Sequence, residues 1–155
     1  VAVGRDRLLA EQDVDIGTNR RFDTLDPKRR EAITPDKREE LLGRGHREDV
    51  IEGLNGVIEH GEMREVKAGA VGADDVDRFD AYLEIVRKRP PAIIDGMKVE
   101  TMVLVLYEPR KALGNQKLMD LLDDAWRNGV PVEVEVVNTD GAFRITDVAA
   151  LEDAR

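Results

Sequence analysis

The run Val103-Leu104-Val105-Leu106-Tyr107 most constrains what this chain can fold into, because it is apolar on both faces of any strand it forms. The extended stretch starts near Ile93, turns at Asp95-Gly96 and continues over residues 97–107. Eleven extended residues reach roughly 35 Å, long for a strand of a small domain. Its first half alternates, with Met97, Val99 and Thr101 opposite Lys98, Glu100 and Met102. The second half must lie between an apolar sheet layer on one side and a covering helix or subunit on the other. Glu108-Pro109 ends the strand, since proline donates no ladder bond.

The elements around it follow from spacing and turn chemistry. Asn115 can cap a helix in which Leu118, Leu121, Leu122 and Ala125 share one face and Asp120, Asp123 and Asp124 the other. Asn128-Gly129 stops that helix, and Trp126 reads as a packing anchor near its end. Residues 130–137 and 142–148 read as a hairpin closed by Asn138-Thr139-Asp140-Gly141, with Glu133 and Glu135 on one face. Asn55-Gly56 is a turn dipeptide, and residues 57–70, interrupted at Gly61, read as a hairpin or meander. Residues 74–77 read as a loop and 82–87 as a further strand stopped by Pro90-Pro91.

The first fifty residues differ in texture. Leu8, Leu9, Val14 and Ile16 are isolated apolar points among charges, and residues 17–30 lack periodicity, so this part reads as an arm. Thr34-Pro35 starts a short helix that Gly43-Arg44-Gly45 ends, and a second short helix covers residues 48–54. The expected organisation is a helical and extended N-terminal arm, 1–50, and a β-rich domain, 51–155. The expected class is α+β, an antiparallel sandwich or barrel-forming sheet with one packed helix.

Charge and composition exclude several functions. The net charge is −9, carried mostly by residues 51–155, which hold 13 basic and 21 acidic side chains. Such a field disfavours tight duplex binding through a basic footprint, and solubility in salt explains it equally well. The chain has no cysteine, which excludes disulfides, thiolate zinc sites and cysteine nucleophiles, and no serine nucleophile exists either. No apolar run approaches the ~20 residues that cross a bilayer, so neither a membrane segment nor an export signal is expected.

Little catalytic chemistry stands out. His60-Gly61-Glu62 lacks the cysteine pair of a zinc deaminase, and His46 with Glu48 and Asp49 reads as a solvated charged turn. Glu133 and Glu135 lie on a sheet surface where nothing separates their acidities. Glu65-Val66-Lys67 offers the Glu-x-Lys pattern of acidic nucleases, which pair it with a strand-borne Asp; the sequence places none recognisably. Residues 34–54 carry Arg38, Arg44 and Arg47 and suggest a small DNA-binding regulator as another reading.

From Leu54 onward the order of elements resembles the tail tube proteins of tailed viruses. Leu54-Asn55-Gly56-Val57 opens a meander, and residues 95–108 give a glycine, a long strand and Leu-Tyr-Glu-Pro. Residues 115–129 form the single helix, and 131–147 the final hairpin. The resemblance covers about two thirds of the chain. It implies a non-enzymatic virion tail component, made in the host cytoplasm, with no catalytic residue, cofactor or metal. Copies would form stacked rings, usually hexameric, around a lumen for DNA in transit, in contact with other tail proteins such as a tape measure. Glu100, Glu133 and Glu135 would line the lumen, and Val103, Val105 and Tyr107 the subunit interface. A distal tail ring or tube terminator shares the same expected fold. The charged N-terminal arm departs from the short start of that family.

Overall fold

The computed structural model describes residues 24–155. The arm's earlier positions, with Leu8, Leu9, Val14 and Ile16, lie outside the described residues. Six strands form one mixed sheet in the order β1-β2-β4-β5-β6, with β3 paired to β4, and the sheet curls like half a barrel. The strands are β1 (Thr24–Ala32), β2 (Val57–Lys67), β3 (Ile93–Ile94), β4 (Met97–Leu106), β5 (Val132–Asn138) and β6 (Gly141–Ile145). The helices are α1 (Pro35–Gly43), α2 (Glu48–Glu52), α3 (Ala73–Arg87), α4 (Pro109–Ala112), α5 (Gln116–Arg127) and α6 (Val148–Ala154).

The class is α+β, but the sheet is mixed, not the antiparallel sandwich expected, and several helices pack on it where one was expected. β2, β4 and β5 run parallel, and β1 and β6 flank them antiparallel. Parallel neighbours need crossovers, and α3 and α5 supply them. The stretch read as a loop and strand, residues 74–87, is therefore helical: Val76, Phe79, Leu83 and Val86 recur every three or four residues and are buried. The alternation of Tyr82, Glu84 and Val86 was a short window on a helical period, and Pro90-Pro91 follows the helix rather than a strand.

Residues 57–67 form one uninterrupted strand instead of a hairpin. Gly61 is no break: a side chain there would run into the Asp26 carbonyl and the Pro27 Cα of β1 and the Met97 sulfur of β4. It marks close backbone approach. Part of the supposed arm, residues 24–32, is the edge strand β1, paired to β2 with a shift between Pro27 and Arg29. Its charge-rich sequence hides no period-two apolar row because it lies at the sheet margin. The hairpin bond Ile33 N–H to Gly56 carbonyl (2.8 Å) closes the α1–α2 excursion between the two strands.

Other expectations hold. Thr34 accepts from Lys37 N–H at 3.1 Å and caps α1, and Asn115 caps α5. Trp126 donates to the Val132 carbonyl at 2.8 Å and fixes α5 to β5. The final strand, expected to reach residue 148, instead ends at Ile145, because Asp147 accepts from Ala150 N–H and starts α6.

The two faces of the sheet differ. On one, α3, α5 and α6 bury Met63, Val99, Met102, Leu104, Leu106, Val134 and Ile145 in a continuous core. On the other, α1 and α2 cover only the start of β2 and β4, burying Leu41, Val50, Ile51, Ile58 and Ile93. The remainder of that second face carries ion pairs.

Candidate active site

Glu65 and Lys67 stand two residues apart on β2 and so point to the same face, near the carboxyl ends of the parallel strands. In open α/β sheets this is the end where ligands bind, since the loops that follow the strands gather there. Glu65 is 4 % exposed. The Lys67 ammonium lies 3.9 Å from its carboxylate and 2.7 Å from that of Asp75. Asp75, in the first turn of α3, also accepts from Gly72 N–H at 3.0 Å. The Lys67 bond, then the Gly72 N–H, hold its pKa below the usual carboxylate value. Arg78 reaches Asp75 at 3.6 Å.

Two loops complete this end. Tyr107 N–H donates to the Lys67 carbonyl at 3.2 Å. Asn115 donates to the Val71 carbonyl at 2.8 Å while its oxygen caps α5, so one side chain fastens the β2–α3 loop to the following helix. Glu108 packs beside Gly69. Arg110, Lys111 and Lys117 are exposed on the α4–α5 segment. The chemistry is thus one buried carboxylate beside an ammonium held by a second carboxylate, with exposed cations on the adjoining segment.

The residue types suit a divalent cation in a limited sense. Among the described residues no three His, Asp or Glu side chains cluster as a metal centre. Magnesium is ordinarily held by one or two carboxylates together with waters and substrate phosphates, and Glu65, 4 % exposed, is the buried carboxylate at this end of the sheet.

The residues proposed to line a lumen belong to another region. Glu133 and Glu135 both bind Arg144, at 2.9 Å each, and Arg144 also holds Glu62 at 2.6 Å. Arg64 adds a 2.6 Å contact to Glu135. The three glutamates, Glu62 foremost, raise the Arg144 pKa further, and Arg144 in turn lowers Glu62. Burial pushes Glu135 up, but bonds from Arg64 and Arg144 outweigh it and leave it lowered. Glu100 contacts Arg29 at 3.3 Å and His60 at 3.2 Å, and His60 meets Glu31 at 2.9 Å with its other nitrogen. Of the interface candidates, Val103 and Val105 are buried within the chain, whereas Tyr107 is 51 % exposed.

The helical pair presents few free cations. Arg38 is held by Glu48 and Glu52, Arg44 by Glu40 and Arg47 by Asp49. A hollow of about 330 Å³ beside Ile33, Arg38 and Asn55 lies at the opposite end of β2 from Lys67. His46 is not in a solvated turn: it is 3 % exposed, and neither ring nitrogen has a hydrogen-bond partner. Burial, then the nearby charges of Lys98 and Arg44, push its pKa down to about 4.

Sequence reasoning found Glu65 and Lys67 but placed Asp75 in a loop. The signal for Asp75 was present in Asp74-Asp75 ahead of the Val76, Phe79, Leu83 periodicity, an acidic first helical turn. Comparison with family models, curated proteins and solved structures returns no match.

Proposed function

We propose that this chain is a divalent-metal-dependent phosphodiesterase domain acting on nucleic acid. One observation carries the reading: Glu65 and Lys67 share a face at the carboxyl end of the parallel strands, with Lys67 fixed by Asp75. Glu65 would hold the cation, which when bound supplies charge stabilisation and an acidified water. Lys67 contributes a positive charge aimed at the phosphate oxygens, where negative charge grows as the phosphorus is attacked. The ion pair to Asp75 positions that ammonium. The apolar core behind Glu65 limits water and strengthens each electrostatic contact.

The test is cleavage of labelled single-stranded DNA, duplex DNA and RNA with magnesium or manganese. Wild-type protein is expected to cut at least one of them, and Lys67→Met, held at a temperature where it is folded, to slow cutting at least tenfold. Absence of cleavage under all these conditions overturns the reading.

The second reading is the self-assembling tail component, in which copies build a ring for DNA passage without chemistry. The observation favouring it is that the sheet ends in β1 and β6, each paired on one side only among the described residues. Copies joined at those edges would remove both. Electron microscopy of concentrated protein separates the cases: hollow tubes support a tube protein, and isolated rings a terminator or distal tail ring. A protein that is nuclease-active and forms neither structure excludes this reading.

A further inference from the structure

We propose that β6 pairs with β6 of a second copy of this chain across a two-fold axis at Phe143, so that one sheet runs through a dimer. The observation is independent of the strand-end site. The β5–β6 hairpin is closed by two residues, Thr139 and Asp140, so Asn138 and Gly141 form its closing hydrogen-bonded pair. Such pairs alternate, which makes Val136–Phe143 and Val134–Ile145 hydrogen-bonded as well. Ala142 and Arg144, opposite Val137 and Glu135, therefore turn their backbone N–H and carbonyl groups away from β5. Among the described residues β6 has no other strand neighbour.

These outward groups are self-complementary. Two antiparallel copies with Phe143 opposite Phe143 set Ala142 against the partner's Arg144, and each such pair can exchange two bonds. Phe143, 49 % exposed, then meets its own image in a close, non-hydrogen-bonded pair where aromatic side chains stabilise a sheet. Arg144 does not oppose itself, and its guanidinium is turned inward onto Glu62, Glu133 and Glu135.

The opposite edge is built differently. β1 carries Pro27, which has no N–H, a register shift beside it and the consecutive cations Lys28, Arg29 and Arg30. Those are the devices that keep an edge from pairing. β6 has none of them, and Arg144 is its one charged residue. β6 itself adds no acidic side chain where two chains of net charge −9 would meet, and salt screens the remaining repulsion.

Sedimentation equilibrium of the full chain is the first test. A dimer is expected that tightens from low salt to molar potassium chloride, and Phe143→Asp is expected to weaken it at least tenfold without lowering the melting temperature. The second test uses the absence of cysteine: Phe143→Cys should oxidise to a single disulfide-linked dimer, because opposed non-hydrogen-bonded positions bring Cα atoms to disulfide distance. A wild-type monomer at millimolar concentration in molar salt overturns the proposal. So does a dimer untouched by Phe143→Asp, an assembly larger than a dimer, or failure of the cysteine variant to cross-link.

Discussion

The sheet carries glutamates on both faces, and the two sets are held in opposite ways. On the open face Glu62, Glu133 and Glu135 converge on Arg144, with Arg64 beside them, so their charge is answered within the chain. On the helix-covered face Glu65 stands at the margin of the apolar core, with one ammonium 3.9 Å away. A neutralised cluster over a strand surface organises the fold. A buried carboxylate beside a lysine at the end of parallel strands is where the proposed chemistry would sit. The contrast teaches that acidity in this chain is not one property: Glu62, Glu133 and Glu135 share a cation on the sheet surface, whereas Glu65, the carboxylate of the proposed chemistry, is buried.

The largest effect expected is on the covered face. Leu104→Ala removes a fully buried side chain from the main core and should cost about 3 kcal/mol, read from the urea midpoint. A loss below about 1 kcal/mol would mean that the two faces share the stability more evenly than their packing implies.

Next comes the helical cover of the open face, where His46 is held neutral. Its folded pKa, about 4, lies below the unfolded value near 6.5, so between these values the unfolded chain binds the additional proton. His46 therefore destabilises the fold as pH falls from about 6.5 towards 4, and imposes no such cost above that window. The expected loss is roughly 2 kcal/mol between pH 7 and 5, and His46→Phe should flatten that slope. Lys98, itself lowered by burial, and Arg44 are the cations near His46 that add to its lowering. The lowered carboxylates, Glu62 and Glu135 among them, act only below about pH 4.5. An unchanged slope in the variant would place the titrating group elsewhere.

A smaller effect is expected at the ion-pair cluster. Arg144→Ala leaves three glutamates close together without their shared cation, yet the side chain is partly exposed and water can enter. The expected cost is about 1 to 2 kcal/mol, and it should grow at low ionic strength because like charges remain. A salt-independent loss would point to packing of the arginine stem instead.

Much of this was legible in the sequence. Turn and cap residues marked β4, α5 and the β5–β6 hairpin, because Asp95-Gly96, Asn115 and Asn128-Gly129 act locally. Both Asp95 and Asn55 do adopt positive φ. The parallel order was not legible, because it depends on whether residues 74–87 form a helix. Leu83-Glu84-Ile85 alternates as well as it turns, and only the full fifteen residues of α3 separate the two periods. β1 escaped for a different reason: an edge strand needs no apolar row, so Lys28, Arg29 and Arg30 looked like a solvated arm. At the site, Glu65 and Lys67 were visible as a pattern. Their meaning was not, since the strand-end position and the Asp75 contact arise from tertiary structure.

The most direct test sets the two kinds of glutamate against each other in one cleavage assay. With manganese present, Glu65→Gln is expected to abolish nucleic-acid cleavage, while Glu133→Gln, in the cluster around Arg144, retains it. Activity of Glu65→Gln equal to wild type, or equal loss in both variants, would contradict the assignment of chemistry to the strand end.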